Sequence, residues 1–156
     1  MWYIWFWRKY LNGEREGKGK EYYYNGNLKF EGEYSNGKKL NGKGYNKNGN
    51  IIYELINGNG NVKEYDDEGI LIFEGEYLNG KRNGKGKEYD KDGKIIFEGE
   101  YLNGKRNGKG IEYDDEGIIE FEGEYLNGER NGKGKEYDED GKIIFEGEYL
   151  NGKEIN

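Results

Sequence analysis

Apolar and polar positions alternate in short runs along this chain. Phe73-Glu74-Gly75-Glu76-Tyr77 sets the pattern, and it returns at Phe97, Phe121 and Phe145. A period of two with aromatic residues on one side predicts a strand with one apolar face. The runs are punctuated by Asn-Gly and by Asp-x-Asp-Gly. Asn79-Gly80 predicts a two-residue hairpin loop, because both of its central positions need positive φ. Pairing outward from it sets Leu78 opposite Lys81, Tyr77 opposite Arg82, Gly75 opposite Gly84, Glu74 opposite Lys85 and Phe73 opposite Gly86. Phe73, Gly75 and Tyr77 then share a face with Gly84 and Gly86, and Glu74 and Glu76 share the other with Lys85 and Lys87. One face is aromatic on glycine; the other is a charge ladder.

The second turn, Asp90-Lys91-Asp92-Gly93, admits two readings. A two- or four-residue loop pairs Glu98 with Lys87, Gly99 with Gly86 and Glu100 with Lys85, which keeps the aromatic face on one side. A three-residue loop with a bulge also suits Lys-Asp-Gly and shifts that register by one.

The pattern recurs with a period of 24 residues from Phe73, Phe97 and Phe121, with a half unit from Phe145. Earlier units open at Phe6, at Phe30 (23 residues, with an extra Leu40) and at Tyr53 (20 residues, lacking the Gly-Glu and Lys-Arg pairs). The chain therefore divides into an aromatic cap at 1–5 and a repeat domain at 6–156. The expected fold is all-β: an elongated, single-layer antiparallel meander of hairpins, about six and a half repeats long, each burying its aromatics only against its neighbours. Glycine inside a strand costs roughly 0.5–1 kcal/mol relative to Ala. Here it lets a neighbouring ring lie flat on the backbone, so a sheet with no covering helix can still bury Tyr and Phe.

Composition narrows the chemistry. The 156 residues include no His, Cys, Pro, Ala, Thr or Gln, and Ser35 is the only serine. A thiolate nucleophile, a Ser-His-Asp triad, a zinc site and a histidine switch are all unavailable. Charged residues make up 37% of the chain, which leans towards disorder, but an aromatic content of 16% at fixed intervals argues for a fold with a thin core. Residues 1–52 carry ten Lys/Arg against five Glu, net +5, and residues 53–156 carry 15 against 27, net -12. The acidic part would repel nucleic acid and anionic lipid. No apolar run reaches the roughly 18 residues a membrane span needs, and the opening Met1–Trp7 lacks the features of a signal peptide, so the expected compartment is the cytoplasm, with membrane or cytoskeletal association open.

Phe-Glu-Gly-Glu-Tyr-x-Asn-Gly-Lys-x-x-Gly-x-Gly, with Asp-Gly seven residues after its last Gly, resembles the MORN repeat (membrane occupation and recognition nexus) over residues 6–156. One feature departs from the family pattern: where aromatics usually stand two and four residues after Gly-x-Gly, this chain has Glu88 and Asp90 with Tyr89 between them. The first unit, through Lys20–Lys29, is also similar to the MORN-like repeats of bacterial YwqK-type antitoxins. The resemblance implies a non-catalytic scaffold whose sheet binds other proteins, in some members as dimers or with lipid.

Candidate sites follow. Phe73, Tyr77, Phe97, Tyr101, Phe121, Tyr125, Phe145 and Tyr149 are the expected anchors of a protein or peptide partner along the aromatic-glycine face. Trp2, Trp5, Trp7, Arg8 and Lys9 form either a weak membrane contact or a cap over the first repeat's open edge. Asp90-x-Asp92-Gly93 lacks the ligand spacing of a calcium loop, since Tyr101 stands at loop position 12, so Asp and Gly are read as turn formers. Carboxylates copied in nearly every unit read as a solvated ladder rather than a catalytic pair. The expectation is a non-enzymatic scaffold with no cofactor or metal, the alternatives being a membrane adaptor or an immunity-type binder. Self-association through the repeat ends is open.

Overall fold

A computed structural model describes residues 10–155. The cap at 1–5 and the membrane-contact candidates Trp2, Trp5, Trp7, Arg8 and Lys9 lie outside the described residues. The chain is all-β, built of antiparallel hairpins in sheets that do not close, with no helix among the described residues. Contacts divide it into two units, one up to Lys81 and one from Arg82. In the first, β1 (Tyr10–Leu11) pairs with β2 (Glu14–Arg15). A meander of β3 (Gly17–Tyr22), β4 (Leu28–Ser35), β5 (Lys38–Tyr45) and β6 (Ile51–Leu55) follows, and then a hairpin of β7 (Gly60–Tyr65) and β8 (Leu71–Leu78). In the second, β9 (Lys81–Tyr89), β10 (Ile95–Leu102), β11 (Lys105–Tyr113), β12 (Ile119–Leu126), β13 (Glu129–Tyr137), β14 (Ile143–Leu150) and β15 (Lys153–Ile155) each pair with the next.

The Asn-Gly turns have the backbone their sequence demands: Asn103 and Gly104 have φ of 53° and 91°, and Asn127 and Gly128 have 54° and 100°. Next to the turn the expected register holds, with Tyr101 opposite Arg106 and Leu102 opposite Lys105. Further out it slips by two. The repeat rule sets Gly99 opposite Gly108 and Phe97 opposite Gly110, whereas the structure pairs Gly99 with Gly110 and Phe97 with Glu112. The long strand bulges at Asn107–Lys109, where Gly108 has φ of 100° and the Lys109 N–H donates to a Glu100 carboxylate oxygen at 3.3 Å. A positive φ at Gly108 is what lets the strand absorb two residues.

At the second turn both readings contribute. Asp90 N–H donates to the Lys94 carbonyl at 3.0 Å, which makes 91–93 a three-residue loop with Gly93 at φ 81°. A one-residue bulge between Ile95 and Phe97 then returns the register to Glu98 opposite Lys87, Gly99 opposite Gly86 and Glu100 opposite Lys85. Asp90 fixes this loop with one carboxylate oxygen, which accepts the N–H groups of Asp92 and Lys94, both at 2.9 Å. Asp66, Asp114 and Asp138 repeat the arrangement, and Asn46 does the same with its amide oxygen.

The core is the aromatic-glycine face. In the second unit Phe97 and Phe121 are wholly buried. Each meets a Tyr of its own repeat and one of the next edge-on: Phe97 lies 5.7 Å from Tyr101 and 5.3 Å from Tyr125. Burying a Phe contributes about 1.5–3 kcal/mol. In the first unit Phe30, Tyr34, Leu55 and Val62 form the buried cluster, with Tyr53 and Tyr77 packed against it.

Candidate functional site

The expected anchors sit in this core. Phe73, Phe97 and Phe121 are wholly buried, Tyr101, Tyr125 and Tyr149 nearly so, and Tyr77 and Phe145 are half-buried. In the second unit these rings are packed into the face rather than standing out from it. Charged side chains of that same face cover it. Arg106 lies over the Phe97 ring at 3.9 Å and Arg130 over Phe121 at 4.1 Å.

Each guanidinium also spans two carboxylates. Arg106 donates to Glu88 at 2.6 Å and to Glu112 at 2.7 Å; Arg130 donates to Glu112 through Nε at 3.0 Å and to Glu136 at 2.5 Å. Arg82 meets Glu88 at 3.3 Å, and the Tyr101 hydroxyl donates to Glu88 at 2.8 Å. The result is a continuous Arg-Glu ladder laid over the rings. Burial alone would raise the Glu88 carboxyl. The Arg106 hydrogen bond and charge, with Tyr101 and Arg82, outweigh it and hold Glu88 below the usual carboxylate range. Glu88 is the residue that stands where the family pattern has an aromatic. Sequence reasoning noted Glu88 at that position but gave it no partner; the missed signal was that Glu88, Glu112 and Glu136 recur in step with Arg82, Arg106 and Arg130.

On the opposite face the expected ladder is present: Lys87 meets Glu98 at 3.1 Å, and the Tyr113 hydroxyl donates to Glu98 at 2.7 Å. Neither face offers a cluster of three or more His, Cys, Asp or Glu placed for a metal among the described residues. Every Asp that opens a turn uses an oxygen on its own backbone.

Within the first unit the cover is interrupted, and there the face opens into a cleft of about 500 Å³. Tyr23, Tyr34, Tyr45, Tyr53, Tyr65 and Tyr77 line it, with Leu55 and Val62. Two changes in the repeat account for the opening. The register position held by Glu21, Glu64, Glu88, Glu112 and Glu136 is Gly44 in the second repeat, opposite Tyr53. The third repeat reads Asn57-Gly58-Asn59-Gly60 and so carries no Lys-Arg pair. A rung of the ladder is missing from the sequence, and the cleft stands in its place.

The walls are tied by hydrogen bonds. Tyr23 donates its hydroxyl to the Tyr45 carbonyl at 2.6 Å, Tyr77 donates to Glu64 at 2.7 Å, and Lys29 pairs with Asp67 at 2.9 Å. Glu21 is held by Arg15 at 2.6 Å and Lys39 at 2.7 Å. Burial, then Tyr65 and Asp66, push the Tyr23 phenol up to about 12. Burial, then the Glu21 and Glu64 charges, push the Tyr53 phenol above its ordinary range. Both phenols are neutral at neutral pH.

Family models for the MORN repeat match residues 30–44, 73–95, 97–117 and 121–143, and those for a MORN repeat variant match 15–36 and 58–79. The chain belongs to the MORN-repeat family. The variant matches fall within the first unit, whose residues 30–44 the MORN model matches as well. No curated protein matches the chain. MORN repeats as a class serve as scaffolds, often in protein or membrane binding. No helix among the described residues is long and apolar enough to cross a membrane.

Proposed function

We propose that this MORN-repeat protein is a non-enzymatic scaffold that takes a segment of a partner protein into the tyrosine-lined cleft of its first unit. The observation that carries this reading is the interruption of the Arg-Glu cover at that one place, which leaves a concave, aromatic surface among side chains already fixed by hydrogen bonds. Tyr offers large contact area with two rotatable bonds and a polar tip, which suits adaptable protein recognition, and convergent polar groups around an apolar floor suit a binding cleft. A non-catalytic role fits the chemistry available: the carboxylates of the ladder are engaged by guanidinium groups, and the chain has neither His nor Cys.

Affinity capture with the full chain tests the reading. Tyr45→Ala and Tyr65→Ala remove cleft walls, and Tyr45 accepts its hydrogen bond through the backbone, so that bond survives. Partners held by the wild type are expected to be lost from both variants and kept by Lys109→Ala, which lies on the charged face. Identical partner sets for all four proteins would reject it.

A further inference from the structure

The face opposite the core carries a periodic feature of its own. In the second unit a tyrosine and an isoleucine pair across the end of each Asp-opened hairpin: Tyr89 stands opposite Ile95, Tyr113 opposite Ile119 and Tyr137 opposite Ile143. These rungs share the face of the Lys-Glu ladder, because the hydroxyl groups of Tyr113 and Tyr137 donate to Glu98 and Glu122, each at 2.7 Å. The hydrogen bonds hold the rings at their polar tips. All six side chains are half-buried except Ile143, which is exposed. Ile111 widens the middle rung, since it stands between Glu98 and Glu122 where the flanking repeats have Lys87 and Lys135. Just beyond the rungs, the loops at 90–94, 114–118 and 138–142 carry eight Asp or Glu against three Lys. An apolar stripe therefore runs beside an acidic edge.

The rungs recur on every second strand, about 9.6 Å apart. An extended strand shows the same side about every 6.8 Å and an α-helix about every 5.4 Å, so both fall out of step within one repeat. A polyproline II helix turns once in three residues and about 9.3 Å. Over the two steps from Tyr89 to Tyr137 it drifts from the rungs by only about 0.6 Å. We propose that this stripe docks a basic, proline-rich segment of a partner protein in the polyproline II conformation, one turn per repeat, with its prolines on the Tyr-Ile rungs and its Lys or Arg side chains towards the acidic loops. Such a segment is already extended when free and loses little entropy on an aromatic surface, and the charge of the edge selects a cationic one. The chain has no proline of its own, so the occupant is another protein. The stripe belongs to the second unit and to the face away from the core, so this inference goes beyond the cleft reading and is tested independently of it.

Titration of the isotope-labelled full chain with blocked twelve-residue peptides, followed by amide NMR shifts, tests the stripe. The probe is four repeats of Pro-Pro-Arg; the controls are four repeats of Pro-Pro-Glu, which keeps the helix and reverses the charge, and of Gly-Gly-Arg, which keeps the charge and loses the helix. The probe is expected to shift Tyr89, Tyr113, Ile119 and Tyr137 saturably, the Gly-Gly-Arg peptide to bind at least about fivefold more weakly, and the Pro-Pro-Glu peptide to leave all four in place. Ile111→Lys narrows the middle rung and Asp115→Lys reverses a charge on the edge; each should weaken the probe at least about threefold. Lys87 and Lys91 already stand at these two positions one repeat earlier, so both variants keep the fold. Equal binding of the Gly-Gly-Arg peptide would mean that charge alone draws the probe, and equal binding of Pro-Pro-Glu, or silence towards Pro-Pro-Arg, would leave the stripe without its ligand; each overturns the proposal. Concentration-dependent shifts of the same four residues in the protein alone would give the stripe to a second copy and overturn it as well.

Discussion

A methyl group on Gly99 would lie 2.6 Å from the Lys109 carbonyl oxygen and 2.7 Å from both the Gly110 Cα and the Phe97 ring. Backbone supplies two of those three neighbours, so it cannot swing aside. Gly99→Val is expected to cost roughly 1–3 kcal/mol through overpacking, whereas Glu98→Gln, which touches Lys87 and Tyr113 at the surface, should cost under about 1 kcal/mol. Thermal melts of the two variants check this, and a more damaging Glu98→Gln would reverse the assignment of faces. Those faces were legible in the sequence, because Phe, Gly and Tyr alternate with Glu at a strict period of two. The contents of the aromatic face were less so. Glu112 reads as one more surface acid until its position opposite Phe121 on one side and Phe97 on the other is known. Its burial depends on a guanidinium 18 residues away, a distance no local pattern encodes.

At the scale of the hairpin, Asp90 anchors its loop through one oxygen and two backbone N–H groups. Asp90→Ala leaves both donors to water and should cost about 1 kcal/mol. Asp90→Asn should be nearly neutral, since Asn46 performs the same task at its own turn. Urea denaturation of the two variants separates them, and equal loss in both would mean that charge, not geometry, holds the turn. The loops themselves were readable from Asn-Gly and Asp-x-Asp-Gly. The bulge at Asn107–Lys109 was not. A slip of two residues preserves which side chains share a face and changes only which are opposite, so parity arguments pass over it. The cleft was half visible: the 20-residue repeat and its missing Lys-Arg pair stand in the sequence, but their effect needs the ladder they interrupt.

Over the whole molecule the ladders make stability depend on pH at both ends. Three carboxylates, Glu21, Glu88 and Glu98, are held below the ordinary 4.5. Their contribution is present above that value and is lost as pH falls through their folded-state values. Tyr113 and Tyr137 are pushed from 10.0 up to about 12, Tyr113 mainly by burial and then by Glu98, and Tyr137 mainly by its hydrogen bond to Glu122. Their contribution is intact below pH 10 and is lost as pH rises towards 12. Urea midpoints should therefore fall on both sides of neutrality, and phenolate absorbance should rise together with loss of the strand signal. Phenolate formation well before unfolding would contradict the hydrogen bonds of these phenols to Glu98 and Glu122. The ladder has one more property. Arg106 and Arg130 each grip one carboxylate of their own repeat and one of the repeat before, so the joints before Phe97 and before Phe121 present the same half-contacts. Excising residues 97–120 would bring Arg130 to Glu88 in the setting Arg106 leaves, with no charge orphaned. The gene encoding such a protein can gain or lose whole 24-residue units by unequal recombination, and every product closes its own seam. Copy number is then free to drift, while the one irregular stretch, around Gly44 and Asn59, has no duplicate to recombine with and stays single.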